Sequence, residues 1–520
     1  MFCSVLSSAI SGVEAVAVSV EADVSDGMPL FVMVGDVGPQ TREAQDRIRT
    51  ALKNMGISMP PKRITINLFP GNIRKEGTRF DLPIAAAVLS AMGILPAGGL
   101  LDTMLLGELH LDGRIGGVNG VLPGILLARK LGCRICIVPE DNRREALVVE
   151  GIRVVSIRSL KDLIKYCHDE DFEETEIDGS RVECSNTGER IDICSAVPDF
   201  SDIKGQESVK RASLIAAAGF HNILFTGPPG TGKSMAAARI PGILPPLSLE
   251  ESLEVSRIYS VAGLLRKEEP LVKIRPFRAP HHSVTVPALC GGGAVPHPGE
   301  ITLAHRGVLF LDEIAETSAR TLDSLRQPLE EHRILISRVS GTYEFPANFL
   351  LAAAMNPCPC GYYPNRNRCT CSPKEILNYH RRISQPLLDR IDLRCVVPEP
   401  DFEDLRFEGN REMASQSMEM RKKVVRVSEI QRQRYAGTGF YFNSQLPAEH
   451  LQKFCVMTPE AENMAARAYK SLPLSVRAYH RVLRMSRTIA DLEGDDLIAE
   501  SHVSEALYYR GQDTGGILNL

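Results

Sequence analysis

The sequence predicts a multidomain α/β protein in which a parallel-sheet P-loop core lies between an N-terminal α/β unit and a C-terminal helical segment. Three observations carry that expectation. Apolar, strand-like runs alternate with helical patterns over residues 1–165, a glycine-rich loop at Gly227–Ser234 falls between a strand and a helix, and beyond about residue 400 the pattern turns to long amphipathic helices. At 520 residues the chain is also longer than one hydrophobic core supports.

In the first unit, Ile64–Leu68 and Ile135–Val138 read as strands, and Leu82–Met92 and Gly124–Leu131 as helices. The N-terminal apolar run is interrupted by Glu14 and Glu21 and lacks a basic leader, so it reads as a buried strand or helix and not as a secretion signal. No stretch reaches the length of a membrane span, and no membrane partner is expected. Thirteen cysteines, an odd number without a secretion signal, point to a reducing, cytoplasmic setting with no disulfide framework. The stretch His168–Arg190 is acidic and aperiodic, so residues 166–198 are expected to form a linker.

The second unit, residues 199–400, opens with a helical run at Val209–Ala218 and a strand at His221–Phe225. Then comes Gly227-Pro228-Pro229-Gly230-Thr231-Gly232-Lys233-Ser234, the complete P-loop pattern in its required strand-to-helix setting. Its glycines let backbone N–H groups converge on phosphate oxygens, and the helix N-terminus adds partial positive charge. Lys233 is expected to reach the β- and γ-phosphates of ATP, and the Ser234 hydroxyl to ligate Mg2+. About 80 residues on, the apolar strand Gly307–Leu311 ends in Asp312-Glu313, placing Asp312 near Mg2+ and Glu313 where it can polarise the attacking water. A further strand, Asn348–Ala353, leads to Asn356, a polar side chain able to contact the γ-phosphate or to serve simply as a turn former. Residues 401–520 read as helical, with Met413–Tyr435 the clearest helix and several more over Pro459–Tyr509.

Cys358, Cys360, Cys369 and Cys371 form a C-x-C…C-x-C set in the loop 356–372, enough thiolates for a structural Zn2+ site, with free or redox-active thiols as the alternative. A net charge of −4 gives no global support for nucleic-acid binding. Locally, residues 266–282 carry five Lys/Arg against two Glu. Arg275, Arg278, His281 and His282 near Phe277 suit phosphate gripping and base stacking, as does Arg338 on a hairpin expected around Ile334–Phe345. Solvated charge runs are the competing explanation for both segments.

The motifs GPPGTGKS, VLFLDE and AAMNPCPCG, together with RPFRAPHHS, GEITLAHRG, QPLLDRIDL and SVRAYHRVLR in this order, resemble the magnesium-chelatase-like AAA+ proteins of the ComM/YifB group over nearly the whole chain. The resemblance implies a Lon-protease-like N-terminal domain (1–165), an AAA+ core (199–400) and a C-terminal helical lid (401–520). It makes Asn356 similar to a sensor-1 residue, Arg390 to an arginine finger acting on a neighbouring subunit, and Arg477 to a sensor-2 arginine. A homohexameric ring is implied with them. Arg74–Arg79 resembles the Lon segment bearing the nucleophilic serine, and Ile115–Asn119 the one bearing the lysine, with Arg79 and Asn119 in their places. A Ser–Lys dyad needs both groups. Three functions follow for comparison: a DNA motor with helicase and branch-migration activity on single-stranded or branched DNA in recombination and natural transformation, a protein-remodelling chaperone, and an ATP-dependent protease.

Overall fold

The computed structural model describes residues 1–96, 98–168, 197–293, 295–338, 341–399, 415–472 and 474–511. The acidic stretch expected to be a linker lies outside the described residues from residue 169 on, as does the start of the helix expected from Met413.

The N-terminal unit is a seven-stranded mixed sheet. Its strands are β1 (Phe2–Ser11), β2 (Glu14–Ser25), β3 (Leu30–Val34), β4 (Arg63–Phe69), β5 (Thr103–Leu105), β6 (Ile135–Pro139) and β7 (Arg153–Ile157). They run in the order β3-β4-β2-β1-β5-β6-β7. The N-terminal apolar run forms a long antiparallel pair, Phe2 opposite Asp23 through Ser11 opposite Glu14. Alternation explains its two carboxylates: Val18, Val20 and Ala22 point inward, while Glu14 is exposed and Glu21 only half-buried. The helix Asp81–Ala91 is buried at every residue, so it has no polar face to show. Its one charge, Asp81, takes a bidentate pair from Arg47, at 2.7 Å (Nε) and 2.9 Å (Nη2).

The second unit is a five-stranded parallel sheet. Its strands are β8 (Ile223–Thr226), β9 (Phe277–Arg278), β10 (Val308–Leu311), β11 (Leu350–Met355) and β12 (Leu393–Val396), in the order β9-β10-β11-β8-β12. Every residue of β10 and β11 is buried, the continuous apolar run that a parallel strand covered on both faces requires. The hairpin expected around Ile334–Phe345 forms from Arg333–Arg338 and Gly341–Pro346. The two residues between them fall outside the described ones.

Past residue 415 the described chain is helical, chiefly Gln416–Arg434, Pro459–Ser471, Val476–Glu493 and Glu500–Gly511. These helices are tied to the core by polar contacts inside apolar packing. Gln431 donates to the Ala218 carbonyl at 2.8 Å, and Arg211 pairs with both Glu505 (2.8 Å) and Glu493 (3.0 Å). The N-terminal unit rests on the P-loop unit through the helix Leu249–Val261. There Ser260 Oγ donates to Glu145 at 2.5 Å and Arg257 pairs with Glu14 at 2.7 Å.

Candidate functional site

The P-loop joins β8 to the helix Lys233–Ile243. Its conformation demands glycine: Gly230 and Gly232 have φ of +79° and +91°, and a Cβ on Gly227 would lie 2.4 Å from the Val397 carbonyl oxygen. Lys233 Nζ donates to the carbonyls of Gly227 and Pro228, both at 2.7 Å, and to Asn356 Oδ1 at 3.1 Å. Burial lowers its pKa from the usual lysine value, against the opposing fields of Asp312 and Glu313. Ser234 Oγ donates to Asp312 Oδ2 at 2.8 Å. Thus three strand ends and one helix start bring Lys233, Ser234, Asp312, Glu313 and Asn356 to one edge of the sheet.

Glu313 stands in the left-handed region, φ 47° and ψ 47°, with its side chain half exposed and its N–H donating to Asp312 Oδ1 at 2.9 Å. That backbone costs a non-glycine residue on the order of 1 kcal/mol or more. His282 Nδ1 lies 3.7 Å from Glu313 Oε2. Gln206, which carried no signal in the sequence, braces the loop by donating to the carbonyls of Thr231 (3.0 Å) and Pro398 (2.9 Å).

Arg390 and Arg477 do not join this group. Arg390 is buried and pairs with Glu330 at 2.6 Å, and the exposed Arg477 approaches the same Glu330 oxygen at 3.9 Å. Both line a second cavity of about 770 Å3, together with Arg306, Arg481 and Arg484, and none of the P-loop residues line it. Arg390 Nε is buried without a partner, so the cavity holds cationic capacity that Glu330 does not use.

The nucleic-acid candidates occupy different settings in the fold. Arg275 is corrected: it is buried, pairs with Glu251 at 3.0 Å and donates to the carbonyls of Pro245 and Arg306 at 2.6 and 2.7 Å, so it cannot face a DNA strand. Arg278 closes bidentately on Glu300 at 2.7 and 2.8 Å, which neutralises it. His281 bonds Ser283 at 2.8 Å and lies against His282 with the rings tilted by 36° at 3.9 Å between centroids. Arg338 is exposed at the end of the hairpin. The sequence could not assign these fates, because each carboxylate partner lies more than twenty residues away.

Among the described residues, Cys358, Cys360, Cys369 and Cys371 bring their sulfurs within 4.8 Å of one another. None is in a disulfide. In the N-terminal unit, Arg79 and Asn119 line one cavity of about 700 Å3 whose described lining holds neither serine nor lysine. Burial pushes the Arg79 guanidinium down to about 10; its Nη2 donates to Ser8 at 3.1 Å and to the Gly120 carbonyl at 3.3 Å.

Comparison with known proteins decides the family. Models described as subunit ChlI of Mg-chelatase, magnesium chelatase subunit ChlI, and the ChlI C-terminal region match residues 20–142, 199–405 and 414–510. The competence protein ComM of Haemophilus influenzae is 43% identical over 508 residues, 97% of each chain. The chain belongs to the magnesium-chelatase-like AAA+ family. YifB of Escherichia coli is 40% identical over 508 residues, 96% of each chain. Lon protease 2 of Bacillus subtilis is 28% identical over 120 residues, 23% of this chain and 21% of that one, a looser likeness. Magnesium-chelatase-like AAA+ membership implies ATP and Mg2+, and the residues fit both. The glycine cradle leaves room for phosphates, Lys233 is held by carbonyls that a phosphate can replace, and Ser234 and Asp312 already face each other across the distance a shared cation spans. MgATP, if bound here, would supply the phosphoanhydride, and Lys233, Ser234, Asp312, Glu313 and Asn356 are the side chains that this chain places beside it.

Proposed function

We propose that the protein is an ATP-hydrolysing DNA motor of homohexameric form, with helicase or branch-migration activity on single-stranded or branched DNA, acting in the cytoplasm in recombination of incoming DNA. The observation that carries this is the division of the catalytic groups into two separate clusters. Lys233, Ser234, Asp312, Glu313 and Asn356 form one edge, whereas Arg390 and Arg477 converge on Glu330 in a different cavity. A site whose arginines are held away from its own P-loop is completed by a neighbour. In a ring, Arg390 would leave Glu330 for the γ-phosphate next door, where a planar cation stabilises charge spreading over the transferring oxygens, and Arg477 would serve as the sensor-2 arginine of the helical lid. Within each site Lys233 and Ser234 orient the nucleotide and its Mg2+, Asp312 supports the metal, and Glu313 orients the water. The domain division is 1–165, 166–198, 199–400 and 401–520, with the first unit a Lon-like scaffold lacking protease chemistry.

The relative named a competence protein supports the transformation role. Arg338, His281 and His282 remain as DNA-facing groups, and the four cysteines hold a structural Zn2+. The test is the steady-state ATPase rate with and without single-stranded and forked DNA, with Lys233→Ala as the blank. Stimulation by DNA that is lost in the blank is expected. A rate indifferent to DNA would favour the second reading, a protein-remodelling motor, for which the closure of Arg275 and Arg278 on carboxylates speaks.

A further inference from the structure

The cysteine loop begins two residues after Asn356, and its geometry ties the two together. Sulfur separations are 3.3 Å for Cys358–Cys360, 3.8 Å for Cys358–Cys369 and 3.6 Å for Cys360–Cys369. Four thiolates around a Zn2+ at about 2.3 Å stand about 3.8 Å apart, close to this arrangement. Tyr363 N–H donates to Cys358 Sγ at 3.4 Å, the kind of contact that orients a metal-binding thiolate. Cys358 and Cys369 are buried together with Ile376, so four ionised thiolates here would repel one another without a shared cation.

The same loop touches the nucleotide site. Gly361, next to Cys360, has φ +85°, and a Cβ there would lie 2.7 Å from Pro229 Cδ in the P-loop and 3.9 Å from Asn356 Cγ. Its N–H donates to the Cys358 carbonyl at 3.0 Å, so the backbone of the cysteine cluster helps set its position. On the other side the His380 ring bonds the Pro357 carbonyl at 3.0 Å. His380 ends the helix Pro373–His380, which starts straight after Cys371 with a Ser372–Glu375 capping box. The cluster is therefore a wedge between this helix, the P-loop and Asn356, and Asn356 in turn holds Lys233.

We propose that the four-cysteine Zn2+ site controls nucleotide affinity, because the metal fixes Gly361 against Pro229 and thereby Asn356 against Lys233. This rests on the zinc and ATPase readings above and adds a coupling between them. Loss of the metal would release the wedge and let the P-loop relax.

The experiment uses the full chain and two readouts, zinc per chain by elemental analysis and dissociation constant for a fluorescent ATP analogue. Wild type is measured as purified, after zinc extraction with an organomercurial and thiol, and after Zn2+ is restored. Three variants accompany it. Cys369→Ser is expected to lose zinc and to bind nucleotide about tenfold or more weakly. Gly361→Ala is expected to keep one zinc and still lose affinity, since its Cβ displaces Pro229. Lys233→Ala is expected to keep zinc and lose nucleotide. Wild type without zinc overturns the metal site, and zinc that can be removed without changing affinity overturns the coupling alone. Wild type that holds zinc but binds no nucleotide overturns the ATPase reading instead. If Cys369→Ser does not fold, extraction and restoration on wild type together with Gly361→Ala decide the matter.

Discussion

Glu313 joins an exposed carboxylate to a left-handed backbone, and Asp392 is a carboxylate buried completely; the two bear on different properties. Among the described residues the Glu313 carboxylate meets His282 at 3.7 Å, a long and half-exposed contact. Glu313→Gln should therefore leave nucleotide affinity intact and lower kcat by about 10²-fold or more, as expected on removing a water-orienting base; full turnover in that variant would remove the assigned role. Asp392 accepts from Arg481 and from the Asn222 N–H (3.0 Å), with His221 at 3.5 Å. Burial by itself would raise its pKa, but the Arg481 charge and the His221 contact outweigh it and hold the group well below the usual carboxylate range. A depressed folded pKa contributes stability that is complete above the unfolded value, about 3.9, and is lost as pH falls toward the folded one. Asp392→Asn should cost about 3–5 kcal/mol at pH 7, because Arg481 is left without its charge partner. Urea unfolding at pH 7 and near pH 3 should show the variant losing less stability on acidification than wild type.

Among the elements, the hairpin Arg333–Pro346 and the segment leading into β9 looked alike in sequence, since both are basic. Their side chains part company in the fold. Arg275→Ala should act as a folding lesion of about 3–5 kcal/mol, because it removes a buried guanidinium that pairs with Glu251 and donates to the Pro245 and Arg306 carbonyls, with any loss of DNA affinity explained by unfolding. Arg338→Ala should leave the melting temperature unchanged and weaken binding of a fluorescent forked DNA, with the salt dependence reduced by about one ion. Thermal melts and anisotropy titrations at several salt concentrations check both. The P-loop, the Asp312-Glu313 pair and the cysteine spacing were legible because each is a contiguous run whose chemistry depends on neighbours in the chain. The two strands expected on either side of the site also appear, within two residues of their expected ends, because fully buried parallel strands leave an unbroken apolar run.

For the molecule as a whole, the separation of Arg390 from the P-loop bears on the proposed ring, in which activity would be a property of paired subunits. Arg390→Ala and Lys233→Ala should each abolish turnover alone. Mixed, they should regain part of it, since an interface with Lys233 from one partner and Arg390 from the other is complete; no recovery in rings shown to exchange subunits would mean that Arg390 acts within its own chain. The sequence by itself determined the P-loop and Asp312-Glu313 motifs, the order of an α/β unit, a P-loop sheet and a helical end, and the presence of four thiols close in the chain. Only the tertiary structure decided which charges are free. Arg275 meets Glu251, Arg278 meets Glu300, and Arg390 and Arg477 share Glu330, each across a sequence separation that carries no periodic signal. It also set Gly361 on Pro229 and Asn356 on Lys233. Such contacts arise where distant strands and loops pack together, and packing is fixed by shape and burial over the whole core, which no local pattern of residues records.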